Sequence, residues 1–189
     1  MIVPPLCERC GAPTVWPVSR CRECAGRRVA FASARSAVEY DDAVRRIVVG
    51  WKERGLRRLA AEAAALVVDA VPRPEVDALT FVPPDDDRRL TRGHHPAEQL
   101  ARQVGRRWEL PVERLLDRVG AARRQRGLGL VERRRNVRGA FRGTRRAPTA
   151  VCLVDDVYTS GATASAAAQA LRKSGARRVE VVCFARAVR

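Results

Sequence analysis

The sequence predicts an α/β fold, a parallel sheet flanked by helices, with a small cysteine-bearing module ahead of it. Three observations predict it. In the last third of the chain, strand-like apolar runs alternate with a helix-like stretch: AVCLVDDV, the turn YTSG, ATASAAAQALRKSG, then RVEVVCFARAV. That alternation is the pattern of βαβ units. Four of the six cysteines lie near the N-terminus as Cys7-x-x-Cys10 and Cys21-x-x-Cys24, two close pairs separated by ten residues. A chain of 189 residues with 46% hydrophobic content is long enough for one globular core and a small appendage.

Residues 1–28 are expected to form the appendage, a zinc knuckle, and residues 29–189 the main domain. Two Cys-x-x-Cys turns can place four thiolates around one tetrahedral zinc ion, and so short a segment needs a metal or a cross-link to fold. Disulfides are the competing arrangement, which a reducing compartment disfavours. Cys152 and Cys183 lie inside apolar runs and read as core thiols.

Apolar residues at Val38, Val44, Ile47, Val48 and Trp51 recur at helical spacing, with Gly50 and Gly55 as punctuation, and predict a first helix. LRRLAAEAAALVVDAV predicts a second, stopped by Pro72 and Pro74. VDALTFVP reads as a short strand, and HPAEQLARQVGRRWE as an amphipathic helix with Pro96 in its first turn. Residues 119–135, rich in arginine and glycine, have the composition of a surface loop. No internal repeat is visible.

The net charge is +16, and arginine supplies all but two of the 37 basic residues, the lysines being Lys52 and Lys173. Such an excess favours polyanionic partners such as nucleic acid, nucleotides or phosphorylated metabolites; a GC-rich genome is a second source of arginine. No apolar run approaches the ~18–20 residues that span a bilayer, and the N-terminus MIVPPLC lacks signal-peptide character. A cytoplasmic protein with no membrane insertion is therefore expected, its oligomeric state left open.

The chemistry concentrates at residues 151–163, VCLVDDVYTSGAT. In an open α/β sheet ligands bind beyond the carboxyl ends of the strands, where Asp155, Asp156 and the loop after them fall. The loop opens a helix, whose free N–H groups suit a phosphate, and Thr159, Ser160 and Thr163 add hydroxyls. Two acids beside an anion site make sense if they hold sugar hydroxyls or a Mg²⁺ carried by the ligand. A sugar phosphate satisfies both halves. A P-loop NTPase is disfavoured because the loop lacks G-x-x-x-x-G-K-[ST]. A phosphoacceptor receiver is excluded because too little chain follows the acid pair.

These thirteen residues resemble the phosphoribosyl pyrophosphate (PRPP) fingerprint of type I phosphoribosyltransferases. With the four-cysteine module, Tyr40, the Lys52-x-x-Gly55 step, Arg92-Gly93, and Gln125, Leu128, Arg133 and Asn136 ahead of Gly139-Ala140-Phe141, nearly the whole chain resembles the ComF family. That family contains the GntX proteins and is associated with DNA uptake in competent bacteria. The resemblance implies a type I phosphoribosyltransferase-like sheet and Mg²⁺-dependent transfer of ribose-5-phosphate from PRPP to an unidentified acceptor. It implies as alternatives a non-catalytic PRPP or nucleotide sensor, or a factor whose partners are single-stranded DNA or competence proteins.

Residue by residue, the resemblance implies that Asp155 and Asp156 hold the ribose hydroxyls directly or through Mg²⁺. Thr159, Ser160, Gly161, Ala162 and Thr163 would cradle the 5-phosphate. Val82, Pro83, Arg92 and Gly93 match the diphosphate-side loop, with Arg92 stabilising the departing diphosphate. Residues 119–136 match a closing lid, with Gln125 and Arg133 reaching PRPP, and Lys52 would reach a phosphate. Cys7, Cys10, Cys21 and Cys24 would hold structural Zn²⁺. The chain departs from the family at Phe81-Val82-Pro83-Pro84-Asp85, where Asp85, Asp86 and Asp87 would repel a diphosphate unless Mg²⁺ bridges them. His94 and His95 read as packing groups or as acid–base groups. Purine-salvage transferases carry a carboxylate where this chain has Thr159, so a 6-oxopurine acceptor is disfavoured.

Overall fold

The computed structural model describes residues 1–84, 95–119 and 139–188. Their elements in chain order are β1 (Ser33–Glu39), α1 (Asp42–Arg54), α2 (Leu59–Ala70), β2 (Ala78–Phe81), α3 (Pro96–Trp108), β3 (Leu116–Arg118), β4 (Phe141–Gly143), β5 (Ala150–Tyr158), α4 (Ala162–Lys173) and β6 (Arg178–Arg186). The fold class expected from the sequence is the one found. β1, β6, β5 and β2 form one sheet in that spatial order, every neighbouring pair parallel. β3 and β4 pair antiparallel in a separate two-stranded sheet.

The central strands β5 and β6 are apolar on both faces, as strands covered on both sides must be. Along β5, Cys152 and Val154 enter one buried cluster with Trp51, Val67, Leu100 and Val104 of α1, α2 and α3. Val151 and Leu153 enter the opposite cluster with Ala167, Ala168 and Leu171 of α4. The period of two in the strands thus meets the period of 3.6 in the helices on both sides. Cys152 and Cys183 are buried thiols, as expected.

Helix boundaries follow local chemistry. Asp41 caps α1 by accepting from the Val44 N–H at 2.8 Å, and Gly55 ends it in the left-handed region at φ 66°. Pro96 occupies the first turn of α3, where its missing N–H costs nothing. Three expectations need correction. Val38 is in β1 and not in the first helix, and Gly50 lies inside α1 without interrupting it. The segment SARSAVE is short and weakly apolar; pairing with β6 on one side makes it a strand. On the other side the N-terminal segment covers it, through Ile2 N–H to the Ala37 carbonyl at 2.8 Å and Ala34 N–H to the Arg9 carbonyl at 3.0 Å. Ile47, placed by its spacing on the buried face, is exposed.

Candidate functional site

One cavity of about 420 Å³ lies beyond the carboxyl ends of β5 and β2, bounded also by the starts of α3 and α4. Of the expected site residues it brings together Lys52, Val82, Pro83, Asp155, Asp156, Thr159 and Thr163. Ser160, Gly161 and Ala162 complete the loop between the two threonines, and Gly161 serves as N-cap of α4 at φ 69°. The Tyr158 ring lies against Gly161 closely enough that a Cβ there would run into its hydroxyl, so both the backbone angle and the packing call for glycine. Arg92, Gly93, Gln125 and Arg133 lie outside the described residues, as do Asp85, Asp86, Asp87, His94 and residues 120–136 of the expected lid.

The acids come with their own cation. Lys52 Nζ, from α1, sits 2.7 Å from Asp156 Oδ2, with side chains 26% and 13% exposed. Asp155 is partly buried, and its Oδ1 accepts from the Asp156 N–H at 2.9 Å. Burial and then the adjacent Asp156 charge push Asp155 up to about 7, Lys52 pulling the other way. Burial is the largest influence on the Lys52 ammonium and works against it, but the charge and hydrogen bond of Asp156 together with the charge of Asp155 outweigh it, and the lysine is held above its ordinary value. At neutral pH the site therefore holds an ammonium and an acid poised between its two protonation states, a pattern common where a ligand or a proton is handled.

Several lining residues were not expected from the sequence as site groups: Arg118, Val157 and the apolar wall of Pro84, Pro96 and Ala97; His95, read as a packing or acid–base group, lines it too. Arg118 lies over the Phe141 ring, 5.2 Å from its centre, and lines the cavity. No local motif marks it, because β3 is only three residues long. His95 Nδ1 accepts from the Glu98 N–H at 3.1 Å and its ring packs against Phe81 at 5.4 Å, so it caps α3 while facing the cavity.

The second candidate site is the thiol cluster. Sγ–Sγ separations are 3.6 Å for Cys7–Cys24, 3.5 Å for Cys10–Cys21 and 3.9 Å for Cys21–Cys24. All four Sγ atoms lie within 4.8 Å of one another. Thiolates about 2.3 Å from a central zinc form a tetrahedron with edges of about 3.8 Å, so the four cysteines are positioned to hold one metal ion. Burial opposes the Cys7 thiolate, yet backbone donors, those of Cys10, Cys21 and Arg9, bring it down to about 7. Cys10 and Cys24 are pushed up, chiefly by burial. Such a cluster gains most from a cation that replaces the protons.

Arg186 joins this module to the sheet. It is 1% exposed, donates through Nη1 to the Cys10 carbonyl at 2.6 Å, and pairs through Nη2 with Glu23 Oε2 at 2.6 Å. Its guanidinium lies 4.7 Å from the Tyr158 ring centre. Burial disfavours its charge, but Cys10 and Glu23 hold it protonated above its ordinary range.

Comparison with known proteins supplies relatives at full length. Competence protein F of Haemophilus influenzae is 28% identical over 97% of this chain and 85% of its own. The DNA utilization protein YhgH of Salmonella typhi is 29% identical over 96% and 84%, and that of Salmonella typhimurium 28% over the same shares. These relatives, at 28–29% identity, support the ComF-family resemblance read from the sequence. No family model matches it. A crystal structure of a Thermus thermophilus protein aligns at 20% identity over 67% of this chain and 82% of that one, with a TM-score of 0.38, too low to bear on fold or function. Among the described residues no helix is long and apolar enough to cross a membrane.

Proposed function

We propose that this chain is a ComF-family protein that binds PRPP, carried with Mg²⁺, and transfers its ribose-5-phosphate group to an acceptor, in a role linked to competence and DNA utilization. The observation that carries the reading is the convergence of Asp155, Asp156, Thr159, Thr163 and Lys52 on one cavity at the carboxyl end of a parallel sheet. The names of the relatives support the biological setting. Each part of the cavity has a part of the ligand to serve. The loop at 159–163 and the first turn of α4 offer N–H and hydroxyl donors to the 5-phosphate. Asp155 and Asp156 accept from ribose hydroxyls and stabilise positive charge as the bond at C1 opens. Bound Mg²⁺ would neutralise diphosphate charge. Lys52 supplies a positive charge that keeps the two carboxylates together before ligand arrives, and it can turn to a phosphate once ribose and metal take up Asp156. Val82, Pro83 and Arg118 wall the diphosphate side, and Arg92, Gly93, Gln125 and Arg133 are proposed to complete it. The four cysteines hold structural zinc.

Calorimetric titration of the full chain with PRPP tests this. Binding in the presence of Mg²⁺ is expected, with diphosphate released when the acceptor is supplied from a cell extract and no release from the Asp155→Asn, Asp156→Asn double variant. Absence of PRPP binding with and without Mg²⁺ overturns the reading; binding without turnover over a broad acceptor panel makes the protein a sensor.

A second reading has its own observation. Val15 and Trp16 are 85% and 66% exposed on the cysteine module of a chain carrying +16 charge. An exposed indole on a strongly basic chain offers a stacking platform for single-stranded DNA. Affinity for an oligonucleotide that falls steeply with salt and weakens on Trp16→Ala supports it; a flat salt response removes it.

A further inference from the structure

The N-terminal module does more than sit beside the sheet: its polar contacts end on the very loop assigned to the phosphate. Arg27, three residues after Cys24, forks between two carbonyls. Nη1 donates to Glu23 O at 3.1 Å, inside the Cys21-x-x-Cys24 turn, and Nη2 donates to Ser160 O at 2.6 Å, in the middle of the loop. A peptide group is planar and trans, so holding the Ser160 carbonyl toward Arg27 aims the Gly161 N–H to the opposite side. One guanidinium thereby fixes the direction of a donor in the anion site.

A second tie runs through Arg186. It stands across the β5–β6 ladder from Tyr158, and it grips Cys10 and Glu23 while its plane covers the Tyr158 ring. That ring in turn supports Gly161 from below. The third tie is the Ala30 N–H donating to Ser165 Oγ at 3.1 Å, on the first turn of α4. Two charge-assisted contacts thus connect the metal-ligating turns to residues 158–161, and the Ala30 bond adds a third from the segment just after the module.

We propose that the four-cysteine module is a clamp on the 159–163 loop, acting through Arg27 and Arg186 as positioning residues, so that metal occupancy and anion binding at that loop are thermodynamically coupled. The anion-binding half rests on the reading of the cavity given above. The coupling is reciprocal: metal that orders the Cys21-x-x-Cys24 turn strengthens phosphate binding, and bound ligand raises the affinity for the metal by the same factor. Arg27 is the residue to test, because it is near the surface and its removal leaves the thiol cluster and the core intact, whereas Arg186 is buried and its removal threatens folding.

Hydrogen exchange of the loop amides in ligand-free protein is the first readout. Exchange over residues 159–165 is expected to quicken both on stripping the zinc-loaded full chain with a chelator and in zinc-loaded Arg27→Ala, with Arg27→Lys intermediate. Exchange that responds to neither change overturns the clamp, whatever the ligand. The second readout is the dissociation constant for PRPP with Mg²⁺, expected to weaken about fivefold or more in Arg27→Ala at unchanged zinc content. PRPP is also expected to slow zinc transfer to a chromogenic chelator in the wild type but not in Arg27→Ala. Wild-type PRPP affinity and wild-type zinc release in Arg27→Ala overturn the coupling while leaving the PRPP reading intact. Exchange that follows the metal in a protein that binds no PRPP overturns that reading and leaves the clamp standing.

Discussion

The acid end of the cavity and the thiol cluster are two answers to one electrostatic problem, that of gathering like-charged groups out of water. Asp155 and Asp156 are adjacent on one strand and carry their counter-ion with them, Lys52 at 2.7 Å. The four thiols come from two separated turns, and a cation from elsewhere in the chain, Arg186, reaches one of them at 3.7 Å, from Nη2 to Cys10 Sγ. An internal cation preforms a site and leaves it exchangeable for a ligand. An external one makes the site conditional on the metal, but a closed tetrahedral shell then becomes part of the fold. The difference matches the uses proposed for them, one end binding and the other clamping.

The largest effect expected from breaking this contrast is at the cysteines. Cys24→Ser, or removal of the metal by a chelator, leaves a buried polar cluster with no central charge. Because Cys7, Cys10 and Cys24 belong to the same buried cluster as Phe31, Leu153 and Val181, the damage reaches the sheet. A loss of several kcal/mol is expected, against a total stability of about 5–15 kcal/mol for a domain of this kind. Thermal denaturation with and without chelator checks it; an unchanged melting temperature would show that the cluster does not depend on metal.

Next in size is Lys52→Met. It removes the cation and keeps the aliphatic stem, so Asp156 stays in place without its partner. Breaking a buried pair costs about 3–5 kcal/mol, and the partial exposure of both side chains brings the expected loss to about 1–3 kcal/mol. The double variant Lys52→Met, Asp156→Asn is expected to recover much of it, since no charge is then stranded. A double-mutant cycle by chemical denaturation measures the coupling, and additive losses would mean that the pair contributes nothing.

The two regions also differ in how openly the sequence declares them. The thiol cluster and the acid loop are local: ligand spacing in Cys-x-x-Cys, and a strand that runs directly into its own loop, put partners within a few residues of each other. Neither needs the fold to be read. Lys52 and Asp156 are far apart in the chain and meet only because α1 packs beside the end of β5, so the lysine's role as counter-ion depends on the tertiary structure. Arg186 shows the limit most clearly. Among so many arginines nothing in its neighbours RVEVVCFAR distinguishes it, yet it is buried between the module and Tyr158. β1 was hidden for a related reason, because a strand of alanine, serine and arginine owes its state to β6 and to the N-terminal segment rather than to its own pattern.

The smallest effect is the most diagnostic, because its sign is opposite to the others. Asp155 has its folded pKa raised to about 7 from an ordinary 3.8, burial being the main cause and Asp156 the next. The native state then binds more protons than the unfolded chain between those two values, so this group lowers stability as pH rises from about 4 to about 7. Above about 7 the whole cost is present. Asp155→Asn keeps the shape and removes the charge. It should therefore be more stable than the wild type by about 1–2 kcal/mol at pH 8, once screening of a partly exposed group is allowed for, and nearly equal to it at pH 4.5. Denaturation midpoints at the two pH values check the difference. The same substitution should weaken PRPP binding at pH 8, where wild-type Asp155 is ionised and able to accept from ribose or metal. Wild-type binding should itself fall as pH drops below about 7. A variant that is less stable at pH 8, or a difference that does not shrink on acidification, would mean that Asp155 is held by favourable contacts and is not in tension with its surroundings. In that case the acid end would be a structural ion cluster like the thiol module, and the contrast between the two regions would disappear.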